Sequence, residues 1–325
     1  MGKFKFLPVL LCLPVLFGCS AEGNIDDKDK DNDKEKINVV CTIFPEYDWA
    51  REIALNTDNA DITLMADNGT DFHSYQPSTQ DIVTVSSCDV LIYAGGQSDK
   101  WIDDALANKT NPDMQAVKLS DVISDSLLSE PETHSGDHDH DHEHEEHAFD
   151  EHVWLSLKNA AAFTDAITEA FCKADEGNAD LYRKNADDYK LKLTEMDGEF
   201  EETVRNAKRN TVLFGDRFPF VYLMNDYGIE YYAAFPGCSS EIDASFDMVV
   251  SLAEEVDREE LPVVLTIEDS NSNIADAIIA NTKNKDQKVL TLDSMQIVRR
   301  EEIDKGKTYL SVMEKNLDVL SEALG

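Results

Sequence analysis

INVVCTIFPEYDWAREIALNTDNADITLM, residues 37–65, runs strand, helix, strand without a break. The β-branched run Ile37–Phe44 reads as a strand, Glu46–Asn56 as an amphipathic helix, and Asp61–Met65 as the next strand. Two strands joined through a helix lie parallel in one sheet, with the helix covering a face. The same alternation continues outward. Ser78–Ser86 reads as a helix with a capping-box start, Ser78 with Asp81, and Gln97–Ala107 as another. Asp89–Ala94 and Gln115–Leu119 supply the remaining strands of this set. A second set has strands at Asn210–Phe214, Ile229–Phe235, Pro262–Ile267 and Lys288–Leu292, with helices near 218–227, 245–257, 273–283 and 304–323. The expected fold class is α/β: two lobes with parallel sheets, 37–157 and 208–325.

Between the lobes, residues 158–207 carry few breakers, Gly177 being the main one. Leu181, Tyr182, Tyr189, Leu191, Leu193, Met196 and Phe200 recur near helical spacing. The portion after Gly177 would reach about 45 Å as one helix. A strut of that length joins the lobes and limits how far they can hinge. Ligands of open α/β sheets sit off the carboxyl ends of the strands, and interdomain clefts are favoured. Functional residues are therefore expected just past the strand ends.

The 325 residues carry 66 Asp+Glu against 29 Lys+Arg, a formal charge of −37. Such an acidic chain lacks the basic stripes that phosphate backbones need, which excludes a nucleic-acid partner. No run approaches the roughly 20 apolar residues of a membrane-spanning helix. Residues 1–18, MGKFKFLPVLLCLPVLFG, have a basic start and a short apolar run, the pattern of an export signal. The run ends in Leu16-Phe17-Gly18-Cys19, which resembles a bacterial lipobox and makes Cys19 the expected lipid-bearing N-terminus. Residues 19–36 are then a charged, flexible tether. The expected location is the outer face of a bacterial cell membrane. Cys41, Cys88, Cys172 and Cys238 read as buried thiols or at most one disulfide, since their spacing fits no zinc ribbon.

Six of the eight histidines fall in HSGDHDHDHEHEEH, residues 134–147: His134, His138, His140, His142, His144 and His147. This segment has no apolar residue with which to fold, so it reads as a mobile loop. Alternating imidazole and carboxylate suit borderline divalent ions such as zinc, whereas the bland alternative is a solvated acidic run. No H-E-x-x-H spacing is present, which argues against a zinc protease. His73 lies in TDFHSYQPS, residues 70–78, just before the capped helix, and His152 in DEHVWL, residues 150–155. Either alone would pass for a structural histidine. Two loop histidines after strand regions of one lobe point to ligands.

HSYQPS followed by Asp81, then DEHVWL, resembles the zinc/manganese substrate-binding lipoproteins of metal ABC transporters, as do Phe214-Gly215-Asp216, Tyr227-Gly228-Ile229 and Leu290-Thr291-Leu292-Asp293-Ser294. The likeness runs in order over residues 37–325. It implies two α/β lobes bridged by a rigid helix, one metal in the cleft, no enzymatic activity, and a monomer that delivers its ion to a permease and its ATPase. It also implies His73, His152 and Asp293 as ligands; Asp293 sits just past the apolar strand Lys288–Leu292. One position departs from the pattern. Where the family has His or Glu, Arg217 precedes Pro219-Phe220, and a guanidinium cannot ligate a cation. Asp216 is the candidate fourth ligand, with Glu241 as substitute; alternatively Asp216 pairs with Arg217 or caps a helix.

Two neutral imidazoles and two carboxylates neutralise a divalent cation and leave no position for an activated water. Such a site binds and releases. The ligand set resembles the manganese-type members, the His-rich loop the zinc-type ones. Affinity rising from manganese to zinc selects zinc, with manganese the alternative. In the expected sequence of events the loop collects metal, the histidines take it, and Asp293 draws the second lobe onto it. A metallohydrolase and a surface metal buffer or adhesin without a transporter are the competing classes.

Overall fold

Central and edge strands differ in sequence because they differ in burial. The computed structural model describes residues 36–131, 149–235, 237 and 245–325. The export signal, Cys19, the tether up to residue 35, the loop histidines, Cys238 and Glu241 lie outside them. The first lobe contains β1 (Ile37–Cys41), α1 (Phe44–Ile53), β2 (Ala60–Leu64), α2 (Thr79–Ser87), β3 (Val90–Tyr93), α3 (Trp101–Ala107), β4 (Gln115–Lys118) and α4 (Leu119–Val122). Its parallel sheet has the order β2-β1-β3-β4. The long helices α5 (Leu157–Ala174) and α6 (Ala179–Asn206) follow, separated by a 3₁₀ turn at Glu176–Asn178. The second lobe contains β5 (Thr211–Arg217), α7 (Val221–Tyr227), β6 (Glu230–Phe235), α8 (Phe246–Arg258), β7 (Val263–Ile267), α9 (Asn273–Asn281), β8 (Lys288–Leu292), α10 (Arg300–Asp304) and α11 (Tyr309–Leu324). Its parallel sheet repeats the arrangement as β6-β5-β7-β8. The α/β class with two parallel-sheet lobes and a long linking helix is thus the observed one. Strands β3 and β7, covered on both faces, are buried throughout, whereas the edge strands β2 and β8 each leave two residues exposed.

Element ends differ from the sequence reading for local reasons. The first strand stops at Cys41 rather than Phe44. Glu46 Oε2 accepts the N–H groups of Thr42 at 2.8 Å and Ile43 at 3.2 Å, and Pro45 sits in the first helical turn, so α1 begins at Phe44. Strand β5 runs on to Arg217 through a register shift after Phe214. The helix expected at 304–323 is two helices, interrupted by Gly306 at φ +96° and restarted by Thr308, whose hydroxyl caps Ser311 N–H. The Ser78–Asp81 capping box is present, its two bonds being 3.2 and 2.7 Å. Cys41, Cys88 and Cys172 are buried free thiols.

Helix α6 buries Tyr182, Asn185, Ala186, Tyr189, Leu193 and Phe200 on one face, against α5 and α1 of the first half and α11 of the second. Leu191 belongs to the expected stripe yet is 70% exposed. It stands about 200° around the helix from Tyr189, away from that face. One apolar cluster runs without interruption from Val39 and Trp49 through Phe163, Tyr189 and Tyr309 to Phe214 and Leu265. The lobes therefore share a core.

A backbone seam also joins them. The segment 67–72 of the first lobe lies along 296–300 of the second: Gly69 N–H reaches Val298 O at 3.1 Å, Phe72 N–H reaches Gln296 O at 3.2 Å, and Arg300 N–H reaches Asp67 O at 2.7 Å. Arg300 adds a two-pronged ion pair with Asp67 at 2.7 and 3.0 Å. The expected swing of the second lobe onto the metal would have to break this seam and the shared core. The structure favours small side-chain rearrangement over a wide hinge.

Candidate metal centre

Every candidate ligand within the described residues sits at or past the carboxyl end of a strand. The His73 loop follows β2, Ser98 follows β3, Asp150–His152 follow β4 and α4, Asp216 is near the end of β5, and Asp293 is directly after β8. This is where a parallel sheet leaves unpaired loops and binds its ligands.

His73 lies in a 3₁₀ turn, Phe72–Ser74, whose N-cap Asp71 accepts His73 N–H through Oδ1 at 3.0 Å. Phe72 is buried edge-on against Trp154, with ring centroids 5.7 Å apart, which anchors the turn. Glu151 Oε1 lies 3.0 Å from His73 Nδ1 and accepts Ser98 Oγ–H at 2.8 Å, while Oε2 accepts Ser98 N–H at 3.0 Å. Burial alone would push the Glu151 carboxyl up. The hydrogen bond and charge of His73, with Ser98 N–H, more than offset this and hold it below the ordinary value. His152, 3% exposed, has Nδ1 at 2.9 Å from Asp150 Oδ1, and the same oxygen accepts His152 N–H at 3.0 Å. Trp154 Nε1 donates to Ser294 O at 2.9 Å and Tyr309 donates to Trp154 O at 2.8 Å, so the second lobe also braces this turn.

Carboxylates at both Nδ1 atoms favour a proton there, the tautomer that leaves Nε2 to a metal ion. The two Nε2 atoms are 3.1 Å apart. Two nitrogens bound to one tetrahedral zinc at about 2.0–2.1 Å stand about 3.3 Å apart. The pair is thus already set at near-ligating separation. Two bare lone pairs at that separation would repel, so the contact needs a shared proton or a metal ion between the nitrogens.

The carboxylates of the second lobe are otherwise engaged in this conformation. Asp216 accepts Arg217 N–H at 2.8 Å and Ile267 N–H at 3.3 Å. Arg217 itself pairs with Asp71 rather than Asp216, Nη2 to Oδ2 at 3.0 Å. Asp293 accepts Met295 N–H at 2.8 Å and pairs with Lys307 Nζ at 3.0 Å. Among the described residues no group of three or more His, Cys, Asp and Glu is assembled to hold an ion. The structure thus brings His73 and His152 together and leaves Asp216 and Asp293 apart from them; Glu241 and the loop histidines fall outside the described residues.

Four supporting residues escaped the sequence reading. Asp150 and Glu151 are visible as acidic neighbours of His152, a signal for carboxylate-backed imidazoles. Ser98 gave no signal. Glu268 is half-buried, and desolvation, reinforced by Asp293, raises its carboxyl above the usual range. It accepts Ser294 N–H at 2.8 Å and Gln296 N–H at 3.0 Å, shaping the turn after Asp293.

The chain is similar to known proteins over most of its length. The chain is 29% identical to the zinc-binding lipoprotein AdcA of Streptococcus pneumoniae over 325 residues, covering 99% of this chain but 61% of that protein. It is 28% identical to the high-affinity zinc uptake system protein ZnuA of Bacillus subtilis over 323 residues, covering 99% of this chain and 97% of the relative. The crystal structure of the metal-dependent lipoprotein YcdH from Bacillus subtilis matches with a TM-score of 0.74 at 26% identity, over 89% of this chain and 99% of that one. The Zn(II)-bound ZnuA-like domain of Streptococcus pneumoniae AdcA matches with a TM-score of 0.70 at 25% identity, over 89% and 99%. The sequence pattern of zinc-uptake complex component A, periplasmic, matches residues 39–323, and the chain belongs to this ZnuA family.

Proposed function

We propose that this protein captures zinc outside the cytoplasm and delivers it to the permease of an ABC importer, whose ATPase drives uptake. The pair of carboxylate-backed imidazoles, 3.1 Å apart at Nε2, carries this reading. Membership of the ZnuA family and the zinc-binding names of the relatives support it. His73 and His152 bind first. Asp293 then exchanges Lys307 for the metal, and Asp216 or Glu241 supplies the fourth donor. With four protein donors the ion has no vacant position for an activated water, so the site binds rather than hydrolyses. Residues 1–18 direct export, Cys19 carries the lipid anchor, and the monomer works at the membrane surface. The histidines of 134–147 raise the local metal concentration.

Competitive titration of metal-free protein with zinc and manganese tests this reading. One tight zinc per chain is expected, lost in His73→Ala and in His152→Ala, and kept but loaded more slowly when 134–147 is deleted. Tighter manganese than zinc would transfer the assignment to manganese. Tight zinc retained by both histidine variants would remove the site.

A further inference from the structure

Arg217 closes β5 where the strand's register shifts, and its guanidinium crosses to the first lobe. It meets Asp71 Oδ2 at 3.0 Å, and the two side chains are each 17% exposed, so solvent and salt screen the pair little. The other oxygen of Asp71 accepts His73 N–H at 3.0 Å. One carboxylate therefore divides its two oxygens between a cation of the second lobe and the backbone of a first-lobe imidazole. The neighbouring Phe72 N–H is held by Gln296 O at 3.2 Å, also from the second lobe. The turn that presents His73 is thus gripped by second-lobe groups at two successive residues.

We propose that Arg217 is a positioning residue for metal binding: through Asp71 it fixes the turn that presents His73, so the second lobe sets the placement of a first-lobe imidazole. This rests on the zinc-site reading above. Without the guanidinium, Asp71 becomes a charged, half-buried carboxylate with an unmatched oxygen, drawn toward water and away from its cap on His73 N–H. Lysine reaches Asp71 as a point charge without the planar fork, so it restores the placement only in part.

The test is stopped-flow zinc release into a strong chelator, with the melting temperature of metal-free protein measured alongside. Arg217→Ala is expected to release zinc about 10- to 100-fold faster, the range for groups that orient metal ligands. Arg217→Lys should recover part of that loss. Asp71→Asn keeps an acceptor for His73 N–H and should also speed release, which preserves the test if Arg217→Ala does not fold. The double variant should be no worse than the poorer single one, because both break one coupling. Wild-type release from Arg217→Ala and Asp71→Asn, with a lowered apo melting temperature alone, would reduce the pair to scaffolding and overturn the proposal. So would a tighter zinc site in Arg217→His beside an unaffected Arg217→Ala, since that marks a vacated ligand position. His73→Ala binding zinc like wild type would instead sink the underlying zinc-site reading.

Discussion

Glu151 is not a candidate ligand, yet with Ser98 Oγ, 3.0 Å from the same nitrogen, it favours a proton on His73 Nδ1. Its Oε1 holds His73 Nδ1 at 3.0 Å and Ser98 Oγ at 2.8 Å. Glu151→Gln weakens the acceptor and offers a donor of its own, which works against the Nδ1–H tautomer that leaves Nε2 for the metal. Zinc affinity should fall about 10- to 100-fold in a chelator competition, with the fold unchanged by circular dichroism. Gly96 gives the same residue its room. A methyl group there would run into Glu151 Cβ and Oε2, so Gly96→Ala should mimic Glu151→Gln in the same titration. The two histidines were legible from their loop contexts, and the acids beside His152 were visible as a string. Ser98 was not, because its partner Glu151 lies 53 residues away and nothing local marks the contact.

Among the elements, α6 allows a direct test of helix propensity without disturbing the site. Gly198 lies inside this helix and a methyl group there would meet nothing within 4 Å. Gly198→Ala should stabilise the protein by roughly 0.5–1 kcal/mol in urea denaturation and leave zinc affinity untouched. Elements with strong local signals were readable: β3 and β7 as short runs rich in apolar and β-branched residues, α2 through its capping box. Boundaries were less so. The fate of Ile43 and Phe44 turns on Glu46, whose carboxylate collects the N–H groups of residues 42 and 43 to start a helix inside an apolar run. The stripe of α6 was legible in period but not in every member, since Leu191 points away from the buried face while Leu193 lies on it.

For the whole molecule, the shared core makes lobe contact part of folding stability. Asp48 on α1 is 2% exposed and accepts the N–H of Tyr309 on α11 at 2.8 Å. Burial pushes its carboxyl up to about 6. An acid whose folded value exceeds its unfolded one takes up protons on folding. Its contribution therefore worsens as pH rises from about 4 to about 6 and is fully unfavourable at neutrality. Asp48→Asn keeps an acceptor for Tyr309 N–H and should exceed the metal-free wild type in stability at pH 7, by on the order of 1–3 kcal/mol. That gap should close as the pH falls toward 4; a gap independent of pH would rule out ionisation as its source. Zinc affinity runs the other way and falls with pH, because its ligands must be deprotonated. The two lobes and their linking helix could be read from alternation and period. Their seam could not, because backbone N–H and C=O groups carry no residue identity.

That seam also orders events during synthesis. Residues 67–72 leave the ribosome more than two hundred residues before their partners at 296–300 exist. A nascent chain holding both imidazoles still lacks the support that fixes the first of them. Metal capture thereby becomes a property of the finished polypeptide, and a fragment truncated ahead of residue 296 is expected to hold the ion poorly.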